Sequence, residues 1–295
     1  MEEKRNFDLL TLGQVLLRLS PPNNDRLVRG DTFVKQVGGA ELNVAVGVAL
    51  LGLRTGVISK LPSHDMGSFM KGKIRSYGVS DDFFMYDDSP SARVGIYYYE
   101  NGAYPRKPKV IYDRANSSFY SLKIDEIPEK AYTASRCFHT SGITLALSPK
   151  VRETAIEMIK RFKAAGTLVS FDVNFRGNLW TGEEAKECIE QILPYVDIFF
   201  CSEDTARLTF KKTGTTREMM KSFTEEYPIS IVASTQRIVH SPKSHTFGSI
   251  IYDARKDIYY EEEPYRDIDV VDRIGSGDAY ISGALYGLLT SDFDC

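Results

Sequence analysis

The chain has 295 residues, 42% of them hydrophobic, and 40 acidic side chains against 37 basic ones give a formal net charge of −3. Nucleic-acid binding is a poor expectation, because it requires a basic surface that this balance does not supply. No apolar stretch reaches the roughly 20 residues that span a bilayer, and the first residues lack the pattern of a signal peptide. We therefore expect a soluble, cytoplasmic protein with neither a membrane nor a nucleic acid as partner.

The first half of the chain predicts an alternation of strands and helices. Apolar runs and glycine stops predict a strand over 7–13, a buried helix over 40–52, a strand over 55–61 and an amphipathic helix over 67–79. Segments 93–100 and 109–114 are rich in tyrosine and β-branched residues, and a loop with glycine and proline separates them. This pattern is typical of an antiparallel pair of strands.

The second half resumes the alternation. We predict strands over 136–142, 167–174 and 196–202, helices over 148–166, 182–195 and 204–210, and a late antiparallel hairpin over 249–265. Ser148 and Pro149 favour a helix start, as N-cap and first helical residue. Alternating strands and helices indicate an α/β fold in three layers, with a mostly parallel sheet and helices on both faces. We expect one domain over 1–295, with segments of about 14–37 and 92–115 forming a small β-flap lid.

The strongest motif is the Arg-Ile-Gly-Ser-Gly-Asp segment over 273–278. Gly275, Ser276 and Gly277 can turn successive backbone N–H groups toward one anion, and the helix that follows adds the positive end of its dipole. Asp278 then lies beside that anion, where it can accept a proton from an attacking hydroxyl. The alternative is that Asp278 only caps a helix and the glycines only permit a tight turn.

A second glycine turn, over 38–43, leads into the predicted buried helix. Backbone amides near Gly39 and Ala40, with the Asn43 amide, would suit a polyhydroxy ligand that needs donors and acceptors in fixed places. The alternative assigns Glu41 to the helix dipole and makes Asn43 a satisfied core amide.

A third polar cluster follows the predicted strand over 167–174. Arg176 can bind a carboxylate or a phosphate with two hydrogen bonds. The alternative is a structural ion pair between Asp172 and Arg176. Ligands of open parallel sheets bind at the carboxyl ends of the strands, which is where all three motifs are expected.

Other catalytic patterns are absent from the sequence. It contains no G-x-x-x-x-G-K-[ST] and no G-x-S-x-G, and its four histidines lack the spacing of a catalytic zinc site. Phosphoryl transfer by an enzyme without a P-loop is the activity that fits the remaining motifs.

These motifs resemble the two signature regions of the ribokinase-like (pfkB) carbohydrate kinases. The matching segments are GGAELNVAVGVALLG over 38–52 and DVVDRIGSGDAYISG over 269–283, and the resemblance extends over almost the whole chain. Three further segments, over 107–119, 139–149 and 170–180, are similar to 2-keto-3-deoxygluconate kinases. The resemblance implies phosphorylation of a sugar acid with ATP and Mg²⁺. The alternatives are a fructokinase, a 5-dehydro-2-deoxygluconokinase, or a non-catalytic sugar sensor.

The resemblance also implies roles for individual residues. It makes Asp278 the general base, with an anion hole formed by Gly275, Ser276 and Gly277. The implied sugar-binding residues are Gly39, Ala40, Asn43, Tyr97, Tyr112, Arg114 and Arg176. The implied nucleotide-binding residues are Asn174, Ser202, Ser234, Arg237 and Gly248. Because the usual acidic residue of the metal region is displaced in this sequence, either Glu203 or Asp204 is expected to serve the metal instead.

The sequence departs from the family pattern in several places. Gln14 stands where family members commonly have an acidic residue, and the usual Asn-x-x-Glu reads Ser202-Glu203-Asp204-Thr205. Family chains continue further past the Gly-Ser-Gly-Asp helix, so we expect a short or incomplete C-terminus and a weakened nucleotide site. The tyrosine-rich flap favours a homodimer or a higher homo-oligomer, because an exposed sheet edge gains by pairing with a second copy. The alternative is that these tyrosines simply form a wall of the sugar pocket.

Overall fold

The computed structural model describes residues 5–103, 105–241 and 243–291. Its strands are β1 (Phe7–Leu12), β2 (Leu16–Ser20), β3 (Val34–Gly38), β4 (Thr55–Pro62), β5 (Val79–Ser80), β6 (Phe84–Asp87), β7 (Gly95–Glu100), β8 (Lys109–Asp113), β9 (Ser135–Ser141), β10 (Leu168–Asp172), β11 (Ile198–Phe200), β12 (Ile231–Ser241), β13 (Ser244–Asp253), β14 (Ile258–Glu261) and β15 (Tyr265–Asp269). Its α-helices are α1 (Ala40–Leu50), α2 (Asp65–Ser76), α3 (Lys130–Thr133), α4 (Gly142–Ala146), α5 (Pro149–Ala164), α6 (Gly182–Glu190), α7 (Glu203–Leu208), α8 (Thr216–Glu226) and α9 (Ser276–Thr290).

Eleven of these strands form one sheet. Its order is β14-β13-β12-β11-β10-β9-β1-β4-β5, with β15 paired to β13 and β6 paired to β4. The run from β5 to β12 is parallel, and the pairs made by β13 are antiparallel. The predicted α/β fold with a mostly parallel sheet is therefore confirmed, as is the late hairpin, which β13 and β14 form.

Strand β1 shows why this sheet is covered on both faces. Consecutive side chains of a strand point to opposite faces, and both Leu9 and Leu10 are fully buried. Leu9 packs in a cluster with α1 and α9, whereas Leu10 packs in a cluster with α5 and α6. The apolar run over 7–12 thus reads as a strand buried between two helical layers.

Helix α5 begins where the sequence predicts. The Ser148 hydroxyl accepts a hydrogen bond from the backbone N–H of Val151 at 3.3 Å, and Pro149 occupies the first turn. On its buried side, Phe162 stacks on Phe138 of β9, with ring centroids 4.0 Å apart. Local capping and apolar spacing together place this helix against the sheet.

A second sheet of four strands, in the order β3-β2-β7-β8, stands apart from the large one. We call it the flap sheet. Strands β7 and β8 pair antiparallel, as predicted, while β2 and β7 pair parallel. Tyr97 and Tyr112 are opposite each other in this pair, and both face the cleft described below.

The sequence prediction missed several elements, of which β12 and α8 are the longest. Strand β12 is buried over its first four residues and largely exposed beyond them, so its pattern resembles neither a buried strand nor an alternating one. Helix α8 carried a signal that the prediction overlooked, because Thr215 and Glu218 form a capping box and Met219, Met220 and Phe223 are buried on one side. Within the described residues, no helix is long and apolar enough to cross a membrane.

Candidate active site

A cleft of about 1130 Å³ opens at the carboxyl ends of β1, β10, β11 and β12, between the flap sheet and the first turns of α1 and α9. The structure brings most predicted site residues together here. Those that line the cleft are Gly39, Ala40, Asn43, Tyr97, Tyr112, Arg114, Asn174, Arg176, Ser202, Glu203, Arg237, Gly275, Ser276, Gly277 and Asp278.

Asp278 lies in the first turn of α9, beside the N-terminus of α1. The Asn43 amide donates a hydrogen bond to Oδ2 of Asp278 at 2.7 Å. Burial raises the pKa of Asp278 to about 6, although the bond from Asn43 acts in the opposite direction. Asp278 is therefore a stronger base than an exposed aspartate, and one of its oxygens has a fixed position.

The turn before Asp278 requires glycine. Gly275 has a φ of +82°, in the left-handed region, and a Cβ there would meet Nδ2 of Asn43 at 3.4 Å. Ser276 begins α9, and its hydroxyl accepts a hydrogen bond from Nη2 of Arg237 at 2.6 Å. A helix N-terminus and a guanidinium thus meet at one point, which favours binding of an anion.

Arg114 also lines the cleft and is held by a neutral residue. Its Nε donates to Oε1 of Gln14 at 2.7 Å, and its guanidinium lies 5.5 Å from the ring centroid of Tyr112. Nε2 of Gln14 donates to the Ser117 hydroxyl at 2.6 Å. Burial lowers the pKa of Arg114. Gln14, a departure from the family pattern, therefore fixes Arg114 without neutralising it.

Arg176 does not form the ion pair with Asp172 that the sequence left open, within the residues that the structure describes. Its Nη1 donates to the carbonyl of Phe175 at 3.0 Å, and its side chain is exposed at the cleft. Burial, reinforced by the charge of Asp278, raises the pKa of Asp172 to about 7, and Oδ1 of Asp172 accepts the N–H of Asn174 at 3.1 Å.

The predicted nucleotide residues are only partly together. Ser234 is buried in β12 opposite Ile250, and Gly248 lies in β13 against Pro264, so neither lines the cleft. Arg237 does line it, as do Ser202 and Asn174.

Glu203, one of the two candidate metal ligands, already has both carboxylate oxygens in hydrogen bonds. Oε1 accepts from Arg207 at 2.9 Å, and Oε2 accepts from the Thr216 hydroxyl at 2.6 Å. Among residues 5–103, 105–241 and 243–291, no group of three or more His, Cys, Asp or Glu side chains could hold a metal ion. The described side chains therefore do not fit a Mg²⁺ site held by the protein alone.

Glu41 is a cleft residue whose place the sequence did not reveal. The alternative interpretation of the sequence assigned it to the helix dipole, and it does lie in the first turn of α1. Its side chain is 2% exposed, and Oε1 accepts hydrogen bonds from Ser141 at 2.5 Å and Thr144 at 2.9 Å. Burial raises its pKa. The only sequence feature that could have indicated buried partners for Glu41 was the pair of hydroxyl side chains near the end of the predicted strand over 136–142.

The fold and the cleft define a carbohydrate kinase. Residues 6–292 match the pfkB family of carbohydrate kinases, and the chain belongs to that family. The predicted family and enzyme class are confirmed, and with them the non-catalytic sugar sensor is set aside.

The chain is similar in sequence to two named sugar kinases and in structure to a third. The chain is 32% identical over 285 residues to 2-dehydro-3-deoxygalactonokinase from Haloferax volcanii, covering 97% of this chain and 85% of that one. It is 27% identical over 291 residues to 5-dehydro-2-deoxygluconokinase from Listeria monocytogenes, covering 98% and 86%. Its structure is similar to 2-dehydro-3-deoxygluconokinase from Thermotoga maritima, with a TM-score of 0.91, 31% identity and coverage of 97% and 88%.

A more distant neighbour, fructokinase with bound ATP from Xylella fastidiosa, shares the fold. It has a TM-score of 0.78 at 22% identity, covering 96% of this chain and 81% of that one.

Proposed function

We propose that this kinase transfers the γ-phosphoryl group of ATP to the 6-hydroxyl of 2-keto-3-deoxygluconate, which is also called 2-dehydro-3-deoxygluconate. One observation carries the proposal. A base, Asp278, and an anion-binding turn lie at one side of the cleft, while two arginines, Arg114 and Arg176, line it without a carboxylate partner among the described residues.

The chemistry follows from the geometry around Asp278. Because Asn43 holds Oδ2, Oδ1 is the oxygen that accepts the proton of the attacking hydroxyl. Phosphoryl transfer passes through a loose transition state, so the proton leaves late and a carboxylate is a sufficient base. Gly275, Ser276 and Gly277 would stabilise the charge on the transferring group through the N-terminus of α9.

The sugar acid would lie between the flap sheet and α1. Tyr97 and Tyr112, whose ring centroids are 6.0 Å apart, would cover it, and backbone groups near Gly39 and Ala40 would bind its hydroxyls. Its carboxylate would meet Arg114, which Gln14 holds in place. The flap sheet would thus act as the lid of a single domain and exclude water from the reaction.

ATP would bind along β11 and β12, near Ser202, Asn174 and Arg237. It supplies the phosphoryl group, and as the donor it implies a cytoplasmic enzyme. Mg²⁺ usually binds phosphate oxygens, waters and one or two carboxylates. Since Glu203 is occupied by Arg207 and Thr216, we assign it no metal and derive no step through the ion.

A substrate panel tests the proposal. We expect the highest kcat/KM for 2-keto-3-deoxygluconate, a lower value for its galacto epimer and for 5-dehydro-2-deoxygluconate, and the lowest for fructose, which has no carboxylate. Arg114→Met should reduce kcat/KM for the sugar acid by roughly 10²-fold, as expected for loss of a buried charged contact, and affect fructose little. The exposed Arg29→Met serves as control. Equal rates with fructose and sugar acids would refute the carboxylate assignment.

We also propose a homodimer that forms through the flap sheet. On the face of this sheet that points away from the cleft, Ile111 of β8 is 44% exposed, and Phe33, which directly precedes β3, is 42% exposed. Its edge strands β3 and β8 have free sides among the described residues, and such edges pair readily with a second copy.

A further inference from the structure

Strand β12 brings a cation to the start of α9. Arg237 lies opposite Phe247 in the β12–β13 hairpin, with its guanidinium 5.7 Å from the centroid of that ring. From there its Nη2 reaches Oγ of Ser276 at 2.6 Å. The strand that the sequence did not predict thus joins the anion-binding turn to the nucleotide side of the cleft.

The charge around Arg237 is not compensated. Within the part of the chain that the structure describes, Arg237 forms no ion pair, and both burial and the charge of Arg273 lower its pKa. The neighbouring acid, Asp272, is already paired with Arg18 at 2.7 Å. Arg237 and Arg273 both line the cleft, and neither forms an ion pair with a described residue, so the electrostatics here favour a highly charged anion.

The position of Arg237 relative to Asp278 decides which anion this is. The Cβ position of Gly275 lies 3.7 Å from Oδ2 of Asp278, and Ser276, the partner of Arg237, is the next residue. Asp278 must face the attacking hydroxyl, so a phosphoryl group in transfer would lie over this turn. Arg237 therefore approaches that group from the side of the nucleotide.

We propose that Arg237 is a catalytic residue that contacts the transferring phosphoryl group and stabilises its transition state, beyond any role in holding ATP. The proposal rests on the proposed kinase function. In the reaction, the bond between the γ-phosphorus and the β–γ bridging oxygen breaks, and its electron pair leaves with ADP. The bond from the sugar oxygen to phosphorus forms, the hydroxyl proton goes to Asp278, and Arg237 keeps its own proton.

An arginine suits this role better than a lysine. Its planar guanidinium can keep one N–H on Ser276 while other N–H groups meet the equatorial oxygens of the phosphoryl group. A lysine ammonium that is not anchored in this way would carry the charge without the geometry. The hydrogen bond to Ser276 thus positions the cation before the reaction, which is how preorganised groups accelerate phosphoryl transfer.

The test compares Arg237→Lys and Arg237→Met with the wild-type enzyme. We expect kcat to fall by about 10²- to 10³-fold in both, the range for removal of one preorganised transition-state donor, and the KM for ATP to change no more than about threefold. Added guanidinium ion should restore part of the activity of Arg237→Met. The exposed Arg266→Lys, on β15, which pairs with β13, should behave as wild type.

A second variant keeps the proposal testable if the Arg237 variants fold poorly. Ser276→Ala removes the anchor alone and should lower kcat by about 3- to 10-fold, as for loss of one hydrogen bond, with little change in the KM for ATP. In a double-mutant cycle, Ser276→Ala should have almost no further effect once Arg237 is methionine. Unchanged kcat in Ser276→Ala, or additive effects in the cycle, would overturn the proposal.

The kinetic results distinguish a failure of the Arg237 proposal from a failure of the proposed function. A raised KM for ATP with unchanged kcat in Arg237→Lys would show that Arg237 only binds the nucleotide, while the kinase assignment stands. If wild-type enzyme phosphorylates fructose rather than the sugar acid, the substrate assignment fails, and the same comparison of kcat and KM is made with fructose.

Discussion

Asp278 and Asn43 are 235 residues apart in sequence, yet their hydrogen bond sets the chemistry of the site. The alternative in which Asn43 is only a satisfied core amide does not describe its contact, because its partner is a carboxylate that lines the cleft. Asn43 orients Asp278 and opposes the effect of burial on its pKa. Both effects depend on the approach of α1 to α9.

Replacement of the base tests this arrangement directly. Asp278→Asn keeps the shape of the side chain and its contact with Asn43 but removes the proton acceptor, so we expect kcat to fall by roughly 10²- to 10⁴-fold. The melting temperature should stay near that of the wild type. Asp82→Asn, the same change at an exposed position, is the control. Turnover near the wild-type level in Asp278→Asn would refute the assignment of the base.

The pH dependence tests the environment of the base. A general base acts when ionised, and the pKa of Asp278 is raised to about 6, so kcat/KM for the sugar should decline as pH falls through about 6. Asn43→Ala removes a contact that lowers this pKa, so the decline should move to higher pH. The measurement is kcat/KM between pH 5 and 8.5, and a decline centred near pH 4 would contradict the burial of Asp278.

At the scale of elements, the flap sheet and the turn before α9 are joined by one ion pair. Nη2 of Arg18, in β2, lies 2.7 Å from Oδ2 of Asp272, and the Arg18 guanidinium lies 4.5 Å from the ring centroid of Tyr99. Asp272 also accepts the backbone N–H of Ile274 at 2.9 Å. A shift of the flap sheet would therefore displace the turn that carries Gly275.

Loss of this ion pair should weaken sugar binding. The pair is partly exposed, and such pairs contribute about 1 kcal/mol or less, so Arg18→Met should raise the KM for the sugar by up to about fivefold. Steady-state kinetics at saturating ATP provide the measurement, with Arg29→Met as the matched change at an exposed arginine. A KM equal to that of the wild type would mean that the pair does not hold the flap sheet.

At the scale of the whole molecule, the two faces of the flap sheet have different surroundings. Val110 and Tyr112 point into the cleft, whereas Ile111 lies between them in β8 and points to the other face. That outer face is open to solvent near Phe33 and Ile111. An apolar sheet face with free edges favours association with another copy.

We therefore expect sedimentation velocity to show a dimer for the wild-type protein. Ile111→Asp places a charge on the outer face and should shift the population to the monomer, because a buried unpaired carboxylate is unfavourable at an interface. Ile258→Asp, at a similarly exposed isoleucine of β14, should leave the dimer intact. A wild-type monomer at micromolar concentration would contradict the proposed homodimer.

Much of the fold could be predicted from the sequence because its determinants are local. The Ser148 cap, the apolar run of β1 and the tyrosine-rich pair β7 and β8 each depend on neighbouring residues, and each is found where expected. Strand β12 was missed because its outer half, which carries Arg237, becomes regular only through its pairing with β13. Its conformation is a property of the hairpin, not of its own composition.

The sequence by itself determined the alternation of elements and the glycine turn at Gly275, since periodicity and backbone preference act over a few residues. It also determined the family, because each signature segment is contiguous in the chain. Only the tertiary structure decided that Gln14 holds Arg114, that Ser276 anchors Arg237 and that Glu41 is buried. These contacts join segments far apart in the chain. They exist because the parallel strands align their carboxyl ends and the flap sheet faces that edge, so the register of the whole sheet sets the distances.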